Sequence, residues 1–140
     1  MRVFLDTNVV MDVMARREPF FGDSLKVLSL MESGVVEGFI AAHTASTLFY
    51  LLKRSVGAKR ARAALLDLLR IVSVVAVDQD RILQALAMDW EDFEDALQAA
   101  CAAKTDVDFF LTRDQRGFSD ADVPVLSPAG FLALQGGQPG

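Results

Sequence analysis

Short apolar runs alternate with longer amphipathic segments along this chain, and that alternation limits the possible folds more than any other feature. The clearest run is residues 71–77, where only Ser73 is polar and most positions are β-branched. Such a run has the length and composition of a strand buried on both faces. Further strands are predicted at residues 2–5, 36–42, 107–112 and 123–126. Because helical segments separate them, we predict an α/β fold, a three-layer α/β/α sandwich around a central, mostly parallel sheet of four to five strands.

The length and composition indicate one domain without a membrane span. A chain of 140 residues that is 52% hydrophobic can bury a core, yet no apolar run reaches the roughly 18 residues that a bilayer requires. An acid at position 6 comes too early for a secretory signal. Cys101 is the only cysteine and lies in an alanine-rich stretch, so we expect a buried thiol and a cytoplasmic protein. We expect the domain to cover residues 1–134 and a flexible tail to cover residues 135–140.

The charge of the chain is unevenly distributed, although the net charge is −5. No acid occurs between Glu37 and Asp67, whereas residues 78–122 contain twelve acids. A basic patch beside an acidic cluster could bind a polyanion and a divalent cation on one surface. The alternative is that both are solvated helix faces. The bases of the first stretch are Lys53, Arg54, Lys59, Arg60 and Arg62.

Two acids directly follow predicted strands. Asp6 comes after the first strand and Asp114 after the fourth. Ligands of parallel sheets bind at the carboxyl ends of the strands, where the strand order reverses. Asp6 can therefore contribute to a site, or it can cap the following helix. Asp12, within that helix, is expected to lie on the surface.

A third group of acids lies in residues 89–95, where five of seven positions are acidic. The helix dipole favours acids in a first turn, which explains one or two of them. Five acids repel one another unless they share a cation. With Asp92 as the N-cap, Asp95 can face the strand ends, while Glu94 points about 100° away around the helix. Asp106 and Asp108 precede the fourth strand and belong to the opposite end of the sheet.

Three segments of the sequence together resemble one known family. They are residues 5–12 (LDTNVVMD), 92–97 (DFEDAL) and 108–114 (DFFLTRD), in this order. They resemble the PIN domain, as found in the VapC-like toxin ribonucleases of bacterial toxin–antitoxin systems, and residues 123–128 resemble its C-terminus. The resemblance implies an endoribonuclease that depends on Mg²⁺ or Mn²⁺, the cations that oxygen ligands without a His or Cys cluster select.

The resemblance also assigns roles to individual residues. Its three catalytic, metal-binding acids correspond to Asp6, Asp95 and Asp114, with Glu94 as a further candidate ligand. Thr7, Asn8 and Thr112 would support them. We expect Lys53, Arg54, Lys59, Arg60 and Arg113 to contact RNA. The implied partners are an RNA substrate, an antitoxin protein and a second copy of the chain, for which apolar surface is offered by Phe20, Phe21, Phe49 and Tyr50.

One departure from the family pattern keeps other functions open. Many members carry an acid in the helix after the second strand, and Thr47 occupies that position here. Fewer carboxylates should weaken metal binding, which leaves a catalytically weak or inactive module that binds RNA or protein as the main alternative. A phosphoacceptor signalling domain is the remote alternative, although Arg113 stands where that class has a lysine. His43, the only histidine, is expected to start a helix.

Overall fold

The computed structural model describes residues 1–136 as a single sheet flanked by helices. The strands are β1 (Arg2–Leu5), β2 (Glu37–Ala41), β3 (Val72–Val75), β4 (Phe109–Leu111) and β5 (Val125–Leu126). The helices are α1 (Thr7–Met14), α2 (Phe21–Glu32), α3 (Ala42–Val56), α4 (Ala58–Leu68), α5 (Gln79–Met88), α6 (Phe93–Ala103) and α7 (Pro128–Gly136). A 3-10 turn (Gln115–Phe118) lies between β4 and β5.

The sheet is parallel throughout, with the strand order β3-β2-β1-β4-β5. The chain moves outward from β1 through β2 to β3, then returns to the other side of β1 with β4. The order therefore reverses beside β1, and a ligand crevice is expected there at the carboxyl ends of β1 and β4. This order differs from the 2-1-3-4-5 order of flavodoxin-like signalling domains, so the phosphoacceptor alternative is wrong.

Two apolar layers cover the sheet, which confirms the predicted three-layer α/β/α sandwich. On one face, Val3 and Leu5 of β1 pack in a cluster with apolar residues from α1, α2, α3, α4 and α7. On the other face, Phe4 stacks on Phe110 at 5.5 Å between ring centroids, and Phe110 packs on Phe118 at 4.4 Å. Helix α6 covers that second face with small side chains, among them the buried Cys101. Burial raises the pKa of this thiol to about 11, as expected for an unreactive cysteine.

Local sequence signals fix several helix boundaries. Asp78 and Asp92 each accept a hydrogen bond from a backbone N–H three residues later, so both are N-caps, as predicted for Asp92. Gly57 joins α3 to α4 with φ 88°, a backbone conformation that favours glycine. Pro128 opens α7 at a position where its missing N–H costs no hydrogen bond.

Two predictions about the elements need correction. The run at residues 71–77 gives only the four-residue β3, and β3 lies at the edge of the sheet instead of being buried on both faces. Val74, in this edge strand, is 45% exposed. Helix α7 runs to Gly136, so it includes the first two residues of the predicted tail, and residues 137–140 lie outside the described part. No helix within residues 1–136 is both long and apolar enough to span a membrane.

Candidate active site

Asp6 lies at the carboxyl end of the central strand β1 and is only 2% exposed. Its Oδ2 accepts a hydrogen bond from the Thr112 hydroxyl at 2.8 Å, and its Oδ1 accepts one from Gln98 Nε2 at 3.1 Å. Asp6 occupies the N-cap position of α1, although its side chain makes no capping hydrogen bond there. Burial raises the pKa of Asp6, and the hydrogen bonds from Thr112 and Gln98 oppose that rise.

Thr112 connects Asp6 to the backbone of Asp114. The Asp114 N–H donates to Thr112 Oγ1 at 3.0 Å, while the Thr112 hydroxyl donates its single hydrogen to Asp6. Asp114 then starts the 3-10 turn, and its Oδ1 accepts a hydrogen bond from the Gly117 N–H at 3.3 Å. The supporting role predicted for Thr112 therefore has a structural basis in these two hydrogen bonds.

Asp95 lies in the first turn of α6 and faces Asp114. A Cβ built on Gly117 would lie 2.8 Å from Asp114 Oδ2 and 3.6 Å from Asp95 Oδ2, so the two carboxylates meet across this glycine. Burial raises the pKa of Asp95 to about 7, and the negative charges of Asp6, Asp92 and Asp114 contribute to the rise. Asp95 is thus close to the other two acids and destabilised by them when no cation is present.

The three predicted acids are neighbours, but they do not form a ready-made metal cage. Within residues 1–136, no three Asp, Glu, His or Cys side chains lie close enough together to hold a metal ion. The expectation that Asp6, Asp95 and Asp114 hold one metal ion therefore stays a prediction. Gln98 and Thr112 hold the buried Asp6 carboxylate, Asp95 is half-buried, and Asp114 is exposed.

The surroundings of Asp95 and Asp114 nevertheless fit a hard divalent cation. The donors are carboxylate oxygens, the ligands that Mg²⁺ and Mn²⁺ prefer. Besides burial, the negative charges of Asp6, Asp92 and Asp114 raise the pKa of Asp95, and a bound cation would relieve this repulsion. Gly117 leaves open the space between the two carboxylates that a side chain would fill.

Both residues open into a cleft of about 850 Å³. Its acidic lining residues are Asp89, Glu91, Asp92, Glu94, Asp95, Asp114 and Asp120, and its basic one is Arg116. Such a surface repels RNA phosphates unless cations neutralise it.

His43, the second residue of α3, lies near Glu94 of the cleft wall. Burial lowers the pKa of its imidazole, and the negative charge of Glu94 opposes that effect. This position confirms that His43 lies at a helix start.

Gln98 and Thr44 belong to the site, although sequence reasoning missed them. Gln98 Oε1 accepts the Thr7 backbone N–H at 3.0 Å, so its amide nitrogen must face Asp6. The Thr7 hydroxyl lies 2.8 Å from Thr44 Oγ1, which supports Thr7 as a residue of this network. A polar residue three positions after Asp95, within the otherwise apolar buried face of α6, is the signal that could have identified Gln98. Asn8, in contrast, is exposed.

The predicted RNA-binding bases fall into two groups. Lys53, Arg54, Lys59 and Arg60 are exposed around the junction of α3 and α4, and none forms an ion pair within residues 1–136. They do not line the acidic cleft. Their arrangement is that of a separate basic surface on the α3–α4 hairpin.

Arg113 is occupied by contacts within the protein. Its Nε lies 3.1 Å from Asp12 Oδ2, and its guanidinium lies 4.2 Å above the centre of the Phe20 ring. Asp12 also pairs with Arg17 at 3.2 Å. The expectation that Asp12 is a surface acid is wrong: the residue is fully buried, since two guanidinium groups compensate its charge.

Comparisons with known proteins agree with this architecture. The PIN domain family model matches residues 2–116. Among solved structures, VapBC2 from Rickettsia felis, bound to a DNA fragment from its promoter, superposes with a TM-score of 0.71 at 15% identity over 91% of this chain and 98% of that one. VapBC-1 from nontypeable Haemophilus influenzae gives 0.70 at 17% identity over 92% and 99%.

A third structure is similar to the same extent. VapC20 from Mycobacterium tuberculosis, a toxin that cleaves the sarcin-ricin loop, superposes with a TM-score of 0.67 at 22% identity over 86% of this chain and 95% of that one. No curated protein sequence matches significantly. The structural similarities establish the fold, and the family match covers most of the chain, with Asp6, Asp95 and Asp114 inside it. This protein therefore belongs to the PIN domain family.

Proposed function

We propose that this chain is a metal-dependent endoribonuclease and the toxin of a toxin–antitoxin pair. The observation that carries the proposal is the pair Asp95 and Asp114, which face each other across Gly117 at the point where the strand order reverses. The neighbouring Asp6 and the acidic cleft add negative charge that a divalent cation would neutralise. Family membership supports nuclease chemistry for such a pair.

The residues of the site have separate tasks in this proposal. Asp95 and Asp114 would hold the Mg²⁺ or Mn²⁺, with Glu94 on the same cleft wall. When bound, the cation neutralises phosphate charge and lowers the pKa of a water molecule. Asp6, whose two oxygens accept hydrogen bonds from Gln98 and Thr112, would be the third acid of the metal site. The exposed bases of the α3–α4 hairpin would attract the rest of the RNA strand.

Asp12 and Arg113 contribute by positioning in this scheme. Arg113 lies between Thr112 and Asp114 in sequence, and its ion pair with Asp12 ties the end of β4 to helix α1. Asp6, which follows β1, and Asp114, which follows β4, would thereby be held at a fixed separation. An arginine used in this way supports the site from behind instead of contacting RNA, so we assign the RNA contacts to Lys53, Arg54, Lys59 and Arg60.

The decisive experiment is a titration of RNA cleavage with Mg²⁺ and with Mn²⁺. We expect cleavage that EDTA stops and that Asp95→Asn abolishes, because the amide retains the size of the side chain but loses its charge. Asp80→Asn is the matched control, since Asp80 is an exposed acid in the first turn of α5. Equal activity of the wild type and Asp95→Asn would mean that another site, or a contaminant, cuts the RNA.

A second candidate function is favoured by two observations. Thr47 stands at a position that is acidic in many PIN domains, and no complete metal cage exists within residues 1–136. Both suit a module that binds RNA or protein without cleaving it. If the enzyme is active, Thr47→Glu should lower the metal concentration needed for cleavage. Absence of cleavage with either metal, together with retained RNA binding, would support the binding module.

The first proposed partner of this chain is an antitoxin protein. Solved structures similar to this one include toxin–antitoxin complexes, among them one from Klebsiella pneumoniae. We propose that this chain also binds an antitoxin, whose basic residues would match the acidic cleft. A short open reading frame next to the gene, whose product copurifies with the chain and suppresses cleavage, is the expected observation.

A homodimer is the other proposed partner arrangement. Of the four aromatic residues expected to support it, only Tyr50 is largely exposed, at 60%. Phe20 is covered by Arg113, and Phe21 and Phe49 are half-buried. Leu66, 64% exposed on α4, adds apolar surface on the same helical hairpin. The dimer surface is therefore proposed on the α3–α4 hairpin instead of at the start of α2.

A further inference from the structure

Gly117 occupies a position where the backbone does not require glycine. Its φ lies outside the left-handed region, unlike the φ of Gly34 and Gly57, so an L-residue can adopt the same conformation. Glycine costs conformational entropy wherever it replaces alanine in regular structure. The third residue of the 3-10 turn therefore has a reason to be glycine other than its torsion angles.

The space around Gly117 supplies that reason. An added Cβ would lie 2.8 Å from Asp114 Oδ2, 3.3 Å from Asp114 Cγ and 3.6 Å from Asp95 Oδ2. A contact of 2.8 Å is shorter than real Cβ contacts, so the Asp114 carboxylate would have to move. Both groups that limit the space are carboxylates of the candidate site, and no apolar core residue is among them. Gly22 is the opposite case, with no atom within 4 Å of its added Cβ.

The backbone of Gly117 acts on the same carboxylate. Its N–H donates to Asp114 Oδ1 at 3.3 Å, which leaves Oδ2 on the side of Asp95. The glycine therefore fixes one oxygen of Asp114 by a hydrogen bond and leaves room for the other. Asp114 itself is exposed, so displacement of its carboxylate would meet little resistance from the rest of the fold.

We propose that Gly117 is a positioning residue for the divalent cation, acting through Asp114. Its missing side chain leaves room for the Asp114 carboxylate on the side of Asp95, where both could hold the cation. The inference rests on the proposed metal-dependent function and adds to it the residue that sets the ligand geometry. A methyl group at position 117 weakens metal binding and leaves the fold intact, because the atom that it displaces is the mobile end of an exposed side chain.

The test compares Mn²⁺ binding to the wild type, Gly117→Ala and the matched control Gly22→Ala, measured by the electron paramagnetic resonance of free Mn²⁺. Loss of a group that orients a metal ligand typically costs 10–100-fold in affinity, so we expect Gly117→Ala to bind Mn²⁺ at least about tenfold more weakly. Gly22→Ala should bind as the wild type does. Thermal unfolding in EDTA should give Gly117→Ala a cooperative transition near that of the wild type.

A double-mutant cycle with Asp114→Asn separates positioning from a general structural effect. If Gly117 acts through Asp114, adding Gly117→Ala to Asp114→Asn should not weaken Mn²⁺ binding further. Additive losses would overturn the proposal, as would wild-type affinity or loss of cooperative unfolding in Gly117→Ala. A wild type that binds no Mn²⁺ would instead refute the proposed metal-dependent function itself.

Discussion

Replacing Asp95 by asparagine should stabilise the metal-free protein near neutral pH, although it removes a residue proposed as essential for activity. Asp95 has its pKa raised from 3.8 to about 7, so the folded state holds a proton between these pH values that the unfolded state has lost. The free energy of unfolding therefore falls as pH rises from about 4 to 7, and the penalty is complete above pH 7. Asparagine carries no charge, so the Asp95→Asn variant avoids this penalty.

The magnitude follows from the same pKa values. A difference of this size corresponds to an upper limit of about 4 kcal/mol at 1.36 kcal/mol per pH unit. Water reaches the partly exposed side chain, and the lost charge was favourable at the start of α6, so we expect a net gain of about 1–2 kcal/mol. For a domain of this size, that gain raises the melting temperature by about 3–6 °C.

The assay is thermal unfolding in EDTA at pH 5 and pH 8. Asp95→Asn should exceed the wild type at pH 8, and the difference should shrink at pH 5, where the wild-type side chain is protonated. Saturating Mg²⁺ should raise the melting temperature of the wild type at pH 8 and leave Asp95→Asn unchanged. Asp80→Asn should show no such pH-dependent gain. A melting temperature of Asp95→Asn below that of the wild type at pH 8 would refute the electrostatic reasoning.

Three further predictions concern other parts of the molecule. Asp12→Ala should lower the free energy of unfolding in urea by about 1–3 kcal/mol, because two half-exposed arginines lose their buried partner. An unchanged urea midpoint would show that the pairs contribute nothing. Gln98→Leu should weaken Mn²⁺ binding about tenfold or more, because Asp6 loses the hydrogen bond that orients its carboxylate. A wild-type affinity in a calorimetric titration would contradict this role of Gln98. Tyr50→Asp should convert the proposed dimer to a monomer in light scattering, and a wild type that is already monomeric at every concentration would dispose of the dimer.

The sequence was sufficient to place the acids at the correct edge of the sheet. Asp6 and Asp114 each follow an apolar strand, and the carboxyl ends of parallel strands share one edge. Their proximity depends in addition on the pairing of β1 with β4, which only the structure shows. Asp92 was identifiable as an N-cap because capping depends on a local pattern, and this cap fixes where Asp95 lies on α6. These predictions rested on short-range geometry.

Other features depended on packing that the sequence does not reveal. Residues 71–77 are apolar enough for a central strand, but only the order of the sheet makes β3 an edge strand. Asp12 is buried because Arg17 and Arg113 reach it from different segments. The inward orientation of Asp6 likewise requires the amide of Gln98, ninety-two positions away in sequence. Each of these outcomes depends on contacts between distant residues.

The position of β1 in the centre of the sheet determines when the candidate site can assemble during synthesis. One neighbour, β2, leaves the ribosome soon after β1, but the other, β4, begins only at Phe109. Pairing of Val3 with Phe109 closes a loop that contains most of the chain, so it cannot form before β4 has been synthesised. A nascent chain that stops before β4 has Asp6 without Asp114, and therefore carries no assembled site while it is still being made.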